Sequence, residues 1–578
     1  MKFKEIPKTK KNMVSDPYLN RWFAYQGFNK KSFQNLEHEE RDPSTLFEIE
    51  ETALLLQKVI KDKKIIFVCG DYDADGICGT TILVEGLNQL GGAAHYMIPN
   101  RSEGYGLNLR MVNEIYDTGC RFLLTVDNGI SCHEAINHAK SLGMTVIITD
   151  HHTIPEELPA ADAILHPQLG DNPFKDISGA TVAYKLIRYL FNKENKSDDF
   201  SMAVLEYFRC LAGITVISDV MPLLDENRTI WKSSANFLAQ DGEENLAYLL
   251  DITGVDKNHI DEISYGFSIC PLLNAVGRLS NAEYGVKFLL SETEEDRELY
   301  GAMLSVLNEE RKLRQANQLK QIEPLVDDSQ SGIVIFNESV ELDEGLIGII
   351  AGRLCQQYKK PTIVFAKAKD SDGVVIWKAS ARSTEDVNIY DVLNSMSQED
   401  EDLFINFGGH AGAAGLSIPY NKQRRFEFLY YKKVSELTVE YEQVYIKVPA
   451  MDIPPFLDAM KPYAPYGQGF PKPCIRTTFS ITNVKCYFKS GKALVSDGVI
   501  EIWMNLDEIL PLLRGYDYRL TFTNFGKSLT ETVTEATKTE YYRPRDQIIQ
   551  YDLITGITNN YFGGKDTVQM DILQQNLL

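Results

Sequence analysis

Paired cysteines and long apolar runs are both missing from this sequence. Its nine cysteines are scattered singly with no C-x-x-C pair, so neither a disulfide framework nor a zinc ribbon is indicated. No apolar run approaches the roughly twenty residues that span a bilayer. The start, MKFKEIPKTKKNMV, has a basic stretch but lacks the apolar segment of a signal peptide. We therefore expect a cytoplasmic protein with reduced cysteines and no membrane contact.

Positive charge is also scarce. The chain has 59 Lys and Arg against 81 Asp and Glu, which gives a net charge of −22. Because phosphate groups bind to Lys and Arg, this balance argues mildly against a nucleic-acid partner and leaves open only a local basic channel. The length of 578 residues predicts three or four domains of an ordinary globular protein. We expect a monomer.

The string GDYDADG (70–76) resembles the start of a calcium-binding loop, with Asp71, Asp73 and Asp75 at alternate positions. An EF-hand loop needs a glutamate at about its twelfth position and a helix in front of it. Here the twelfth residue is Ile82, and the preceding IIFVC (65–69) is a short apolar run typical of a buried strand. A calcium loop is therefore excluded. The acids instead lie in a strand-to-helix turn, where α/β sheets form ligand sites.

Short apolar strands alternate with helical patterns through the first half of the chain. The predicted strands are IIFVC (65–69), AAHYMIP (93–99), FLLTVD (122–127), TVIITD (145–150) and AILHP (163–167). This alternation predicts an α/β fold with a doubly wound parallel sheet. Three strands end in acids, and LAGITVISDVMPL (211–223), taken as a further strand-like segment, places Asp219 similarly. We expect these acids and the adjacent His151 and His152 to meet at one sheet edge.

A cluster of acids with histidine indicates a divalent metal site. A single aspartate at a strand end usually caps a helix or forms a turn, and a histidine pair alone is as consistent with a surface loop. Several carboxylates at one edge would repel each other unless a cation neutralised them. Carboxylates with imidazole suit Mn²⁺ or Mg²⁺, and two such ions activate water and steady a phosphoryl displacement. The residues alone therefore predict metal-dependent phosphoester hydrolysis.

Several motifs resemble one known family in order and spacing. DYDADG, VDNG and DHH resemble the DHH phosphoesterase superfamily, and NFGGHAGAAG (406–415) resembles the glycine-rich signature of the DHH-associated domain. PNRSEGYGL (99–107), PLLNAVGRLS (271–280), ASARS (379–383) and PYGQGFPKP (465–473) are similar to the bacterial RecJ single-strand-specific exonucleases. The resemblance implies removal of nucleotides from the 5′ end of single-stranded DNA with two Mn²⁺ or Mg²⁺ ions, in DNA repair and recombination.

The resemblance also implies a role for each matching position. The implied metal ligands are Asp73, Asp75, Asp127, His151 and Asp219, with Asp127 bridging two ions. His152 is implied to contact the scissile phosphate or assist proton transfer, with Asp71 and Asp150 as groups that orient ligands. The residues implied to hold the substrate and its terminal 5′ phosphate are Arg101, Arg278, Ser380, Arg382, Gly408, Gly409 and His410.

Two positions depart from the family pattern. Cys69 stands where many relatives have a histidine four residues before the first metal-binding aspartate. One metal is then held loosely or by a thiolate, although a buried neutral cysteine is the commoner state. Asp343 and Glu344 stand where relatives often have histidine before a glycine. A phosphate or nucleobase contact is therefore missing from that wall of the site.

The rest of the chain predicts further domains. Residues 1–45 are an N-terminal segment, 46–290 the DHH domain, 291–326 a linker helix and 327–425 a second, smaller α/β domain. Residues 440–535 have alternating strands with aromatics, consistent with the OB-fold of RecJ proteins, and 536–578 form a C-terminal extension. Tyr487, Phe488 and Trp503 are candidates for stacking on bases, against the commoner role of a core aromatic.

Other functions remain open from sequence. One alternative is a DHH-family nuclease of short oligonucleotides or cyclic dinucleotides, which are usually two-domain chains. Another is a non-catalytic scaffold like the DHH-related replisome component of eukaryotes, which would be free to lose the five ligand positions that are intact here. The expected partner is single-stranded DNA with a 5′ end, together with a single-strand-binding protein or a helicase as a protein partner.

Overall fold

A computed structural model gives the architecture. It describes residues 2–9, 13–34, 36–240, 243–338, 342–370, 373–384, 386–437, 442–487, 492–496, 501–505, 518–522, 539–544, 549–562 and 565–577. The chain forms two compact units, one of residues 38–439 and one that combines 1–37 with 440–578. The boundaries predicted from the sequence for the individual domains stay predictions.

The helices and strands are numbered here in chain order. The helices are α1 Pro17–Tyr25, α2 Lys30–Gln34, α3 Ile49–Lys61, α4 Ala74–Gln89, α5 Leu109–Asp117, α6 His133–Ser141, α7 Gly179–Lys193, α8 Asp199–Ser218, α9 Asp225–Leu238, α10 Glu244–Thr253, α11 Glu262–Ser264, α12 Cys270–Leu279, α13 Glu283–Leu289, α14 Glu294–Ile322, α15 Ile347–Tyr358, α16 Ile389–Glu399, α17 Gln423–Glu436 and α18 Ile453–Met460. The strands are β1 Lys2–Glu5, β2 Ile65–Cys69, β3 Ala93–Met97, β4 Phe122–Val126, β5 Thr145–Thr149, β6 Ala163–Leu165, β7 Ile333–Phe336, β8 Thr362–Lys369, β9 Val375–Arg382, β10 Asn406–His410, β11 Ala413–Pro419, β12 Glu442–Lys447, β13 Cys474–Ile481, β14 Asn483–Tyr487, β15 Lys492–Ser496, β16 Glu501–Asn505, β17 Tyr518–Phe522, β18 Thr539–Pro544, β19 Ile549–Phe562 and β20 Lys565–Leu577.

The first α/β domain is built on a parallel sheet of five strands. Their order is β3-β2-β4-β5-β6, and every neighbouring pair is parallel. The order reverses direction between β2 and β4, and ligand sites form at such switch points beyond the carboxyl ends of the strands. The predicted doubly wound sheet is confirmed. Its strands read as apolar runs because both faces are buried under helices.

One predicted element is wrong. The segment LAGITVISDVMPL is not strand-like, because residues up to Ser218 belong to helix α8 and Asp219 caps that helix at its C-terminus. Helix α8 packs against α4, α7 and α9, so it is apolar on most sides and resembles a buried strand in sequence. Among the described residues, α8 is also the one helix whose length and hydropathy would suffice to cross a membrane, and 61% of that window is buried within the protein.

The linker helix and the second α/β domain follow. Helix α14 runs through 29 residues and confirms the predicted linker helix. The second sheet has the order β10-β11-β9-β8-β7, with β7 and β8 parallel and the other pairs antiparallel. Helices α15, α16 and α17 and the strands enclose two apolar clusters, which confirms a second, smaller α/β domain.

The remaining unit is rich in strands. Its sheet has the order β1-β12-β13-β19-β20-β16-β15-β14-β18-β17, in which the N-terminal strand β1 pairs with β12. A C-terminal β-rich region is thereby confirmed, whereas its assignment as an OB-fold stays a prediction. The rings of Tyr487 and Trp503 lie 5.3 Å apart. Phe488 lies outside the described residues.

Candidate active site

The turn after β2 delivers the first acids. Asp73 is the N-cap of α4, and its carboxylate accepts hydrogen bonds from the main-chain nitrogens of Asp75 (3.0 Å) and Gly76 (3.1 Å). Asp71 is buried beneath this turn and accepts a bond from the nitrogen of Gly106. A Cβ on Gly76 would lie 2.4 Å from the main-chain oxygen of Asp71, so only glycine permits the turn.

Asp75 is held by the start of another helix. Its two carboxylate oxygens accept hydrogen bonds from the nitrogens of Gly179 (2.6 Å) and Ala180 (2.9 Å), at the N-terminus of α7. The free N–H groups and the positive end of the helix dipole stabilise a carboxylate there. Asp75 is thus fixed in place although it is almost fully buried.

Asp127 follows β4 in a left-handed backbone conformation, with φ of 60°. Such a conformation is uncommon outside glycine and is often retained at functional sites. A Cβ on Gly179 would lie 2.7 Å from the Cβ of Asp127, so the helix approaches closely because it begins with glycine. The hydroxyl of Tyr105 donates to the main-chain oxygen of Asp127 and supports this turn.

His151 lies among three carboxylates. Its Nε2 is 3.1 Å from Asp127 Oδ1, 3.4 Å from Asp219 Oδ2 and 3.6 Å from Asp75 Oδ2. Burial lowers the pKa of His151, which favours the neutral imidazole that a metal ligand requires. Asp219 therefore reaches the cluster as predicted, although it does so from the end of a helix.

The acids and histidines form three overlapping groups of possible ligands. Within each group the ligand atoms lie within 4.8 Å of one another, and the groups are Asp127, His151 and His152; Asp75, His151 and Asp219; and Asp71, Asp73 and Asp127. Burial and then neighbouring carboxylates raise the pKa of Asp71, Asp127 and Asp219. A divalent cation would remove this repulsion, so oxygen-rich groups with imidazole fit Mn²⁺ or Mg²⁺.

Cys69 contributes to none of these groups among the described residues. It is the last residue of β2 and is fully buried, and burial raises the pKa of its thiol. A thiol held in the protonated form is a poor metal ligand. The structure thus favours the neutral cysteine over the thiolate ligand, and an effect of Cys69 on metal affinity stays a prediction.

His152 is oriented by Asp150. Its Nδ1 lies 2.8 Å from Asp150 Oδ1, and Asp150 also accepts bonds from the nitrogens of Ile130, His151 and His152. Burial alone would lower the pKa of His152, but the bond to Asp150 and the surrounding carboxylates raise it to about 9. His152 is therefore protonated near neutral pH in the metal-free protein, and its ring is more exposed than that of His151.

Sequence reasoning missed several supporting residues inside motifs that it had noticed. The hydroxyl of Tyr105, in EGYGL, lies 3.1 Å from His152 Nε2. The amide of Asn128, in VDNG, donates to the main-chain oxygens of Cys69 and Val126 and accepts from the nitrogen of Leu107. Asn274, in PLLNAVGRLS, accepts from the nitrogen of Ala74 and lies 3.2 Å from Ser218 Oγ. The sequence signal that could have identified these residues is that each lies inside a motif that resembles the family.

The three arginines line one cavity. Arg101 lies over the ring of Tyr72 at 4.0 Å and donates to the main-chain oxygen of Gly277. Arg278 donates to the oxygen of Gly345 at 3.1 Å, and Arg382 Nη1 donates to Ser380 Oγ at 2.9 Å. Burial, and then the charges of Arg101 and Arg382, lower the pKa of Arg278 to about 9. None of the three forms an ion pair within the described part of the chain, so together they would favour an anion.

One cavity of about 600 Å³ joins the arginines to the acids. Its lining includes Asp71, Tyr72, Asp73, Arg101, Tyr105, Asn274, Arg278, Glu344, Lys378, Ser380 and Arg382. This volume is in the range of ligand cavities. The two α/β domains thus share one cleft, with carboxylates in one part of its wall and guanidinium groups in another.

The glycine-rich motif forms the strand pair β10 and β11 beside this cavity. Asn406, Gly415 and Ser417 from these strands line it. Gly408 has open space at its Cβ position, whereas Gly409 has φ of 142° and a Cβ there would lie 2.4 Å from the oxygen of Ala413. Burial, and then the charges of Arg382 and His152, lower the pKa of His410.

Comparison with protein families gives two matches. Residues 65–213 match the N-terminal domain of the DHH family, and residues 331–436 match the DHHA1 domain. The first segment contains the metal-ligand candidates Asp73, Asp75, Asp127 and His151. The second contains Ser380, Arg382 and the glycine-rich motif.

Comparisons with curated proteins and solved structures agree with these two family matches. The single-stranded-DNA-specific exonuclease RecJ of Haemophilus influenzae is 32% identical over 505 residues, which is 83% of this chain and 86% of the relative. RecJ of Escherichia coli is 32% identical over 79% of this chain and 82% of the relative.

A solved exonuclease RecJ bound to manganese is 29% identical with a TM-score of 0.57, over 68% of this chain and 95% of that one. RecJ of Thermus thermophilus in complex with Mn²⁺, at 23% identity, has the same fold, with a TM-score of 0.73 over 96% of this chain and 75% of that one. With these matches over most of its length, this chain belongs to the RecJ family of single-stranded-DNA-specific exonucleases.

Proposed function

We propose that this protein is a metal-dependent exonuclease that degrades single-stranded DNA from its 5′ end and releases mononucleotides. The observation that carries the proposal is the single cavity whose wall holds both the acidic turn, Asp71 to Asp73, and the arginines. A strand end bound to the arginines would present its first phosphodiester to the metals. Family membership supports the substrate class and the reaction.

The metal ions would be held by Asp73, Asp75, Asp127, His151 and Asp219. Bound Mn²⁺ or Mg²⁺ activates a water and neutralises charge on the phosphoryl oxygens. The chain itself fixes the ligands: Asp75 through the start of α7, and Asp127 through its left-handed turn and Tyr105. Asp71, buried beside Asp73, supports the same turn. These fixed positions reduce the rearrangement needed during reaction.

His152 is the group we assign to proton transfer or phosphate contact. Its ring is partly exposed, and Asp150 holds it in one orientation through a 2.8 Å hydrogen bond. Protonated His152 would donate to a phosphoryl oxygen or to the leaving 3′ oxygen, with Asp150 stabilising its charge. His410, in the same row across the second sheet as Arg382, would contact the same nucleotide from the second domain.

Polarity would come from Arg101, Arg278 and Arg382, with Ser380. Guanidinium groups hold a phosphate through two parallel hydrogen bonds and stay charged. A terminal phosphate bound there fixes the 5′ end, so that cleavage removes one nucleotide at a time. With a net charge of −22, little long-range attraction supplements these few cations, and log K should fall with log salt in proportion to the number of phosphates that they neutralise. Action in the cytoplasm during DNA repair and cooperation with a single-strand-binding protein or helicase belong to this proposal.

The test compares Arg382→Ala with the unmodified protein on single strands with and without a 5′ phosphate. Loss of charged hydrogen bonds of about 1.5–3 kcal/mol should reduce kcat/KM about ten- to a hundredfold on the phosphorylated strand. The strand without the phosphate should be affected much less. Arg425→Ala is the matched control, because Arg425 lies in the same domain and pairs with Asp400 outside the cavity. Equal losses on both strands, or degradation from a labelled 3′ end, would contradict the proposal.

A further inference from the structure

The cavity has an ion pair that the proposed reaction does not use. Lys378 Nζ lies 3.1 Å from Glu344 Oε2, and both side chains are about one-third exposed and line the cavity. Among the described lining residues, Asp71 and Asp73 are the other carboxylates. Those two belong to the metal cluster. Glu344 therefore puts a negative charge into a part of the cavity that the arginines prepare for an anion.

The register of the second sheet shows where this pair lies relative to the arginine. Lys378, Ser380 and Arg382 alternate along β9 and face one side of the sheet. Arg382 is paired with Ala413, which is paired with His410, so Arg382 and His410 lie in one row across the sheet. Lys378 is four residues back along the strand, about 13 Å from Arg382 between Cα atoms. Lys378 and Glu344 are thus displaced along the strand from the row that contains Arg382 and His410.

The head of Arg382 folds back toward Lys378. Its Nη1 donates to Ser380 Oγ, which lies midway between the two cations on the strand. The guanidinium is then about 7 Å from the row of Lys378, one two-residue step along the strand. An anion bound at Arg382 and Ser380 therefore has the Lys378 and Glu344 pair as its next neighbour along the strand, on the side away from the His410 row.

The segment that carries Glu344 cannot shift away from the cavity. Gly345, next to Glu344, accepts a hydrogen bond from Arg278, and a Cβ on Gly345 would lie 2.1 Å from the oxygen of Arg278. The backbone that carries Glu344 is therefore packed directly against the helix that carries Arg278. A group that extends beyond the terminal phosphate would meet the Glu344 carboxylate rather than displace the segment.

We propose that Glu344 and Lys378 select among the 5′ ends of DNA strands: the site accepts a 5′-monophosphate and disfavours a 5′-triphosphate. A second phosphate would lie against the Glu344 carboxylate as a like charge and would compete with it for Lys378. Like charges placed together across an interface are a common source of specificity. This inference rests on the proposed terminal phosphate site and adds the end chemistry that the site accepts.

The experiment measures kcat/KM on one single strand with three 5′ ends: hydroxyl, monophosphate and triphosphate. The unmodified protein should cleave the triphosphate strand about tenfold less efficiently than the monophosphate strand. Glu344→Gln removes the like charge and frees Lys378, so the triphosphate-to-monophosphate ratio should rise about tenfold. Lys378→Met leaves the carboxylate unpaired, so the same ratio should fall. A merely structural ion pair would move both variants in the same direction.

Asp343→Asn is the matched control. Asp343 is the neighbouring acid, but it pairs with Arg314 and Gln318 and does not line the cavity, so its removal should leave the ratio unchanged. Three outcomes would contradict selection of the 5′ end by Glu344 and Lys378. They are an equal ratio for Glu344→Gln and the unmodified protein, the same direction of change in both pair variants, and an Asp343→Asn effect equal to that of Glu344→Gln. Equal cleavage of hydroxyl and monophosphate strands would instead refute the terminal phosphate site itself.

Discussion

Replacing Asp127 by asparagine should stabilise the metal-free protein and destabilise the Mn²⁺-loaded protein. The carboxylate of Asp127 is buried, and burial with the charges of Asp75, Asp73, Asp219 and Asp71 raises its pKa. Asparagine keeps the oxygen that faces His151 and tolerates the left-handed backbone of this position. The change therefore removes one charge with little change in shape.

The magnitude follows from the spacing of the ligand atoms. Those of Asp71, Asp73 and Asp127 lie within 4.8 Å of one another. Two unit charges at that distance repel by about 3.5 kcal/mol at an effective dielectric constant of about 20. Protonation relieves part of this repulsion, so we expect Asp127→Asn to stabilise the metal-free protein by about 1–3 kcal/mol at pH 8. A shift of about 2–10 °C in Tm corresponds to that range for a domain of this size.

Proton linkage determines how the stabilisation by Asp127→Asn changes with pH. A carboxyl whose folded pKa is raised stays protonated in the folded protein while it ionises in the unfolded chain, so its cost grows as pH rises from about 4 toward the folded pKa. The advantage of Asp127→Asn should then be no smaller at pH 8 than at pH 6, and greater at both than near pH 4. With Mn²⁺ at about a thousand times its Kd the sign reverses, because binding then contributes about 4.1 kcal/mol to the unmodified protein, and losing most of this exceeds the variant's gain of about 1–3 kcal/mol.

Thermal unfolding with chelator and with Mn²⁺, at pH 4, pH 6 and pH 8, measures all of these differences. Asp117→Asn is the control, because Asp117 is exposed at the end of α5 and lies outside the metal groups. It should shift Tm by the same small amount with and without metal. An Asp127→Asn protein that is less stable than the unmodified one in chelator, or a Tm of the unmodified protein that Mn²⁺ leaves unchanged, would refute the reasoning.

Three further predictions concern neighbouring groups. Arg278→Met should raise the Tm of the free protein, because it removes a half-buried charge among like charges, and should abolish the stabilisation that inorganic phosphate gives the unmodified protein; a Tm that falls would contradict this. Tyr105→Phe should lower kcat about tenfold with little change in KM, because the hydroxyl positions Asp127 and His152; a change in KM alone would contradict it. Cys69→His should lower the Mn²⁺ concentration needed for half-maximal activity; an unchanged titration would place this position out of reach of the metals.

Local sequence was sufficient where a motif contains its own geometry. The turn from Asp71 to Gly76 is closed by main-chain bonds to Asp73 and by a glycine that no other residue can replace there. Alternating apolar strands and helices fixed the parallel sheet, and a parallel sheet brings the ends of β2, β4 and β5 together. Asp73, Asp75, Asp127 and His151 could therefore be grouped from the amino-acid sequence alone.

Asp219 shows where such local reasoning fails. The run before it is apolar and contains β-branched residues, which suits a buried strand as well as a buried helix. Packing against α4, α7 and α9 decides for the helix, because those neighbours cover most of its sides. The residue still reaches the metal cluster, since a helix end can deliver a carboxylate as a strand end does.

Contacts between distant segments were decided by tertiary structure alone. The resemblance to a family suggested that Arg101, Arg278 and Arg382 act together, but their positions in three separate segments do not specify it. The pairing of β1 with β12 brings residues near the N-terminus into the same sheet as the C-terminal strands, and no local pattern indicates it. The sequence by itself grouped Asp73, Asp75, Asp127 and His151, because strand ends in a parallel sheet have one common edge. Tertiary structure decided that the three arginines line one cavity together with Glu344 and Lys378, because this arrangement depends on how the second domain packs on the first.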